Sequence, residues 1–252
     1  MPGDGSTPHH PSTARGRGAT ARVESAAVIL VGLTGGIGAG KSTVSTGLVA
    51  RGAVLVDADA VTRELQRAGQ PMLAELAAHF GDDVLTAAGE LDRATLAGLV
   101  FNDPERLKEL NKLVHPPINR EIARRTLAHR ATDRVVLLDI PLLVEGGDRR
   151  YNTAANIVVD TPVDVAVERL VTHRGMSEAD ARARMARQVT REERLAKADR
   201  VIDNSGPPAA LDAQLDELWR WMQTLTPATD DDLAPYEQRI AETDPPPADD
   251  VS

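Results

Sequence analysis

Short apolar runs alternate with longer stretches of helical spacing through the middle of the chain. Runs at residues 28–33, 54–56, 135–138 and 157–159, with a weaker fifth at 200–202, have the length and continuity of buried parallel strands. Between them the spacing predicts helices over 42–51, 162–173 and 177–188. A last helix over 209–222 carries Leu211, Leu215, Leu218 and Met222 on one side, with Trp219 and Trp221 read as packing. Strand and helix in alternation predict an α/β fold, a three-layer αβα sandwich around a five-stranded parallel sheet.

Three segments depart from the alternation. Residues 60–129 show several helical patterns and no clear strand, with breaks at Pro71, Gly81-Asp82-Asp83, Pro104 and Pro116-Pro117. That is too long for a plain crossover between the second and third strands, and it predicts a helical substrate-binding subdomain inside a domain spanning 26–224. Residues 1–25, rich in Pro, Gly, Ser, Thr and Arg, have no hydrophobic period and predict a disordered tail. Residues 225–252 hold Asp230-Asp231-Asp232 and Pro245-Pro246-Pro247 and predict an acidic, proline-rich tail at the other end.

Composition narrows the function. Only 2% of residues are aromatic against 42% hydrophobic, so Ala, Val, Leu and Ile must build the core. Cysteine is absent, which excludes disulfides and thiolate metal sites and fits a cytoplasmic location. The net charge of -9 argues against a general nucleic-acid binder, which needs a basic surface to displace counterions. No apolar run is long enough to span a bilayer.

The chemistry begins directly after the first strand. Gly35-Gly36-Ile37-Gly38-Ala39-Gly40-Lys41-Ser42 matches G-x-x-x-x-G-K-[ST], with a strand before it and a helix after it. Glycines let consecutive N–H groups of Gly36, Ile37, Gly38, Ala39 and Gly40 turn inward around a phosphate, and the new helix presents its positive end to the same anion. Lys41 reaches the β and γ phosphates of ATP, the Ser42 hydroxyl ligates Mg²⁺, and Thr43 stands near the α phosphate. Guanine specificity is not indicated, because Asn111-Lys112-Leu113-Val114 lacks the aspartate of N-K-x-D. The second strand ends in Val56-Asp57-Ala58-Asp59, at the edge where α/β sheets bind ligands, with Arg63 one helical turn beyond Asp59. A carboxylate beside a guanidinium suits an acceptor with one hydroxyl and several phosphate oxygens. An N-cap aspartate with a surface ion pair is the competing reading.

From residue 28 to 222 the chain resembles the dephospho-CoA kinases, P-loop NTPase-type small-metabolite kinases. The resemblance rests on the ordered elements Gly32 to Thr43, Asp57-Ala58-Asp59 with Arg63, His115-Pro116, Pro141-Leu142-Leu143-Val144-Glu145, Arg187-Gln188, and Ala198-Asp199 leading to Ile202-Asp203-Asn204-Ser205-Gly206. It implies transfer of the γ-phosphoryl of ATP to the ribose 3′-hydroxyl of dephospho-CoA, giving coenzyme A and ADP. It further implies that Asp59 orients the hydroxyl, that Arg63 and His115 line the acceptor site, and that residues 175–196 form a lid. Arg187 then faces the phosphates, with Arg169 as a second candidate, and Asn204 lies in the loop bordering the adenine. Arg182 and Arg184 read instead as partners of Glu178, Asp180, Glu192 and Glu193 on a solvated face. Asp139 reads equally as the holder of a Mg²⁺-bound water and as the start of the turn before Pro141. Arg174 sits one position later than the family pattern expects. Another small-metabolite kinase and a nucleotide-binding regulator are the readings that compete with this one.

Overall fold

The computed structural model describes residues 27–101, 103–140 and 151–242. Five parallel strands, β1 (Ile29–Gly35), β2 (Val54–Asp57), β3 (Val135–Asp139), β4 (Ala155–Asp160) and β5 (Arg200–Asp203), lie in the order β2-β3-β1-β4-β5. The helices in chain order are α1 (Lys41–Ala50), α2 (Ala58–Leu65), α3 (Pro71–Phe80), α4 (Arg93–Val100), α5 (Pro104–Leu127), α6 (Val163–Arg174), α7 (Glu178–Met185), α8 (Arg191–Leu195), α9 (Pro208–Met222) and α10 (Asp230–Ala241). The expected five-stranded parallel sheet is present. Among the described residues no helix is long and apolar enough to cross a membrane.

Alternation along β1 divides the core. Val31 and Leu33 point to one face and pack with Val44 and Leu48 of α1 and with Leu211, Leu215, Leu218 and Met222 of α9. Leu30 points to the other face and joins Val61 of α2, Ile122 of α5, and Leu233 and Tyr236 of α10. Both faces are therefore apolar and covered, as a parallel sheet requires. Winding turns left of β1 to β3 and β2, then right to β4 and β5. The reversal opens a crevice at the carboxyl ends of the central strands, the usual ligand site of such sheets.

The helical insert has its own core, in which Met72, Leu73 and Leu76 of α3 pack with Val84, Leu91, Leu96 and Val100. Pro71 and Pro104 each occupy the first turn of a helix, where the missing N–H costs nothing. Pro116-Pro117 does not break the chain as the sequence suggested: α5 runs through both prolines. Leu110, Leu113, Val114 and Ile118 pack against the insert core on either side of them, and that packing outweighs the lost backbone bonds.

The predicted acidic tail needs correction. Residues 230–241 form α10, and Tyr236 is fully buried with its hydroxyl donating to the Tyr151 carbonyl. Thr229 Oγ1 accepts from the Asp232 N–H at 3.2 Å, and the Asp232 carboxylate accepts from the Thr229 N–H at 2.9 Å. Asp230-Asp231-Asp232 thus occupies the first turn, where acidic charge favours a helix. Arg130 fastens the same end, pairing with Asp230 at 2.8 Å and with Glu237.

Candidate active site

The loop between β1 and α1 is locked from behind. Gly40 caps α1 at φ 83°, and a Cβ placed there would stand 2.2 Å from Asn204 Nδ2. Gly38 has φ 80°, and its Cβ would meet the Ala166 carbonyl at 2.7 Å. Asn204, only 7% exposed, donates to the Ala39 carbonyl at 2.8 Å, and Thr161 Oγ1 donates to the same oxygen at 3.2 Å. Asn204 therefore buttresses the loop with its side chain. On the other side the Ile37 N–H donates to Gln188 Oε1 at 3.0 Å, so one loop amide already serves an oxygen acceptor. Ser42 and Thr43 are exposed in the first turn of α1.

Lys41 Nζ donates to Asp139 Oδ1. Register explains the meeting: Asp139 ends β3 opposite Leu33 of β1 and Asp57 of β2, beside the start of the loop. Asp139 is 4% exposed, and burial pushes its carboxyl above the ordinary range. Lys41 opposes that rise, while the nearby carboxylates of Asp57 and Asp59 add to it. Neither sequence reading of Asp139 included this lysine.

The two aspartates after β2 have separate roles. Asp57 is the N-cap of α2, its carboxylate accepting from the Ala60 N–H at 2.9 Å. Asp59 lies in the first turn of α2, exposed and without a hydrogen-bond partner among the described residues. The N-cap reading therefore belongs to Asp57 and leaves Asp59 available. Arg63 is exposed one turn on and forms no ion pair among the described residues. Arg125 of α5 steadies this helix by bridging Glu64 of α2 and Glu121 of its own helix. His115 is exposed on α5 beside Lys108, Asn111 and Lys112, on an open groove apart from the loop cavity.

A cavity of about 250 Å³ borders the loop, lined by Gly36, Ile37 and Ala39, by Asp160 and Thr161 of β4 and its end, and by Met185, Gln188 and Arg194 from the segment expected to form a lid. Arg169 of α6 donates through Nη2 to the Asn204 carbonyl at 2.7 Å. Its Nη1 is buried without a partner among the described residues and lies 3.6 Å from where a Gly40 Cβ would stand. An orphaned cationic donor behind a phosphate-type loop fits an anion. The segment 175–196, expected to be a lid, contains α7 and α8, and the predicted helix over 177–188 ends at Met185. Arg182 pairs with Glu178 at 2.9 Å and Asp164 at 3.2 Å, on a solvated face as expected, whereas exposed Arg184 forms no ion pair among the described residues. Arg187 lies with its guanidinium 5.0 Å from the centroid of the Phe101 ring.

Several participants were not singled out in the sequence. Gln188 was visible only as part of a lid string, and its contact with Ile37 spans 151 residues of chain. Arg194, whose Nη1 would stand 3.0 Å from a Gly36 Cβ, and Arg191, paired with Asp160 at 2.6 Å, carried no local signal. The string 141–145 lies outside the described residues.

The sequence profile of the dephospho-CoA kinase family matches residues 29–209. A protein named dephospho-CoA kinase from Thermobifida fusca (strain YX) is 47% identical over 197 residues, covering 78% of this chain and 97% of that protein. One of the same name from Streptomyces avermitilis is 48% identical over 192 residues, covering 76% and 93%. Among solved structures, dephospho-CoA kinase from Campylobacter jejuni aligns with a TM-score of 0.60 at 25% identity, over 78% of this chain and 98% of that one. A crystal structure from Thermus thermophilus aligns with a TM-score of 0.66 at 34% identity, over 77% and 98%.

Proposed function

The chain belongs to the dephospho-CoA kinase family, and we propose that its glycine loop and Lys41 hold ATP while Asp59 aligns the ribose 3′-hydroxyl of dephospho-CoA. The activity is that of an ATP-dependent kinase acting on small-molecule substrates. The observation that carries the residue assignment is the free carboxylate of Asp59, one side chain away from an aspartate that is consumed as an N-cap.

Roles follow from position. The glycine loop and the N-terminus of α1 serve the phosphates, the Ile37 N–H first releasing Gln188 and the Ala39 N–H staying with the Gly36 carbonyl, and Arg169 Nη1 is a buried donor to the same charge. Lys41 exchanges Asp139 for a phosphate oxygen, and burial of the carboxyl left behind favours its taking a proton or a solvated cation. Asp59 accepts a hydrogen bond from the incoming hydroxyl and takes its proton as the new P–O bond forms and the bond from the γ-phosphorus to the β–γ bridging oxygen breaks, that oxygen leaving with ADP. Arg63 and His115 bind the phosphorylated body of the acceptor, and Thr43 the α phosphate.

For Mg²⁺ the donor set fits an ion held chiefly by phosphate oxygens and water, with the exposed Ser42 hydroxyl as the side-chain ligand. When bound, Mg²⁺ neutralises charge shared by the β and γ phosphates. Arg187 brings a further cation from the lid, and closure keeps water from serving as the acceptor. This reading implies a cytoplasmic enzyme with no nucleic-acid partner, in keeping with a net charge of -9.

The test is ADP release with a panel of acceptors, with and without Mg²⁺. The expected result is Mg²⁺-dependent release with dephospho-CoA and background release with uridine or AMP. Transfer to uridine or AMP but not to dephospho-CoA would reject the acceptor assignment.

A further inference from the structure

Phe101 is an anomaly in a chain with so few aromatics. Of its two phenylalanines, two tyrosines and two tryptophans, it alone falls in the exposed class, at 62%. It ends α4 in helical backbone conformation, its N–H bonded to the Ala97 carbonyl at 2.9 Å, and its ring takes no part in the insert core. What the ring touches is the lid: the Arg187 guanidinium lies over it at 5.0 Å from the centroid.

Arg182 and Arg191 are each held by a carboxylate. Arg187, like Arg184, has none among the described residues, but Arg187 alone of these four lies over an aromatic ring. Its neighbour Gln188 is bonded to the Ile37 amide of the donor loop. The lid tip therefore touches both halves of the site: Gln188 rests on the loop that takes ATP, and Arg187 rests on the subdomain that takes the acceptor.

We propose that Phe101 is a positioning residue that acts through Arg187, setting the plane of the guanidinium for the transferred phosphoryl group. The inference rests on the kinase reading above and adds a residue to it. Stacking uses the face of a guanidinium, whereas its five N–H donors lie in the plane and point outward from the edge. An arginine can keep its face on the ring and still give its edge to a phosphate. A carboxylate partner would instead occupy the edge and compete with the substrate. Stacking also restricts a long side chain before reaction, so less freedom is lost in the transition state. Because the ring belongs to the acceptor subdomain, Arg187 reaches this orientation only when that subdomain and the lid meet.

The experiment is steady-state kinetics of Phe101→Leu and Phe101→Tyr with ATP and dephospho-CoA, each in the wild-type and Arg187→Ala backgrounds. Leucine keeps apolar bulk and removes the π face. It is expected to lower kcat by about three- to fivefold, the scale of an exposed cation–π contact. Both KM values stay within about twofold, and Tyr restores the wild-type rate. In the Arg187→Ala background the leucine substitution adds no further loss. The proposal is overturned by an unchanged kcat in Phe101→Leu, by a loss confined to the KM for dephospho-CoA, by a tyrosine variant as slow as leucine, or by an undiminished effect without Arg187. A wild-type chain that transfers nothing to dephospho-CoA would overturn the kinase reading first. Normal wild-type transfer with no leucine effect would overturn this proposal alone.

Discussion

The two sides of the cleft, proposed above to take the phosphate donor and the acceptor, are built by different means. On the donor side the contacts are backbone and buried: Asn204 and Thr161 pull on one loop carbonyl, and Lys41 meets a nearly inaccessible Asp139. On the acceptor side Asp59, Arg63 and His115 are all exposed on helices, and their arrangement depends on how α2 and α5 are held. Phosphate recognition by amides fixes the chain conformation closely and so fixes the spacing of residues. Recognition by exposed side chains fixes only the surface that carries them. The donor side is specified locally, the acceptor side by long-range packing.

The sharpest way to break this contrast is Asp59→Asn. The exposed site loses no packing, so stability and ATP affinity should stay at wild-type values while kcat falls by about 10²–10⁴-fold. Nucleotide titration beside turnover checks it, and a wild-type rate would move the base elsewhere.

Next in size is Tyr236→Ala. The ring is fully buried between α10, α5 and the sheet, and its loss should cost about 3–5 kcal/mol in urea unfolding. At temperatures where the variant remains folded, the KM for dephospho-CoA should rise more than that for ATP, because α10 packs on the acceptor-side helix. Equal changes in the two KM values would erase the distinction between the sides.

Lys41→Ala should lower kcat by about 10²–10³-fold and weaken ATP, leaving the KM for dephospho-CoA nearly unchanged. Unaltered ATP kinetics would contradict the loop assignment.

The smallest effect is electrostatic. Hydrogen bonds from Arg124 and Arg125 hold the Glu121 carboxyl down at about 2, against an ordinary 4.5. A lowered carboxyl pKa means the stabilisation is complete above about pH 4.5 and is lost as the pH falls toward about 2. Glu121→Gln should therefore cost about 1 kcal/mol at neutral pH, allowing for solvent screening, and almost nothing near pH 2. Chemical denaturation at both pH values reads the difference. A pH-independent cost would mean that packing, not charge, accounts for what Glu121 contributes within α5.

The same contrast explains what could be read from the sequence. All five strands and the loop were legible, because buried strands are continuous apolar runs and the phosphate cradle has a fixed spacing. Helix α10 was not: three aspartates and a proline suggested a solvated tail. The overlooked signals were the Thr229–Asp232 capping box and the helical spacing of Leu233, Tyr236 and Ile240. Pro116-Pro117 misled in the opposite direction, since a rule about isolated helices was overridden by packing on both sides. The pairing of Lys41 with Asp139 was hidden for a third reason. It joins residues 98 apart through strand register, which no local pattern carries.

Everything turns on whether one hydroxyl, facing Asp59, receives the phosphoryl group held by the loop. The direct measurement compares ADP release with dephospho-CoA and with its 3′-deoxy analogue at saturating ATP and Mg²⁺. One ADP should appear per molecule of dephospho-CoA consumed, with only background release for the deoxy compound even while it occupies the site. Equal release with both, or release that ignores the acceptor altogether, would contradict the account.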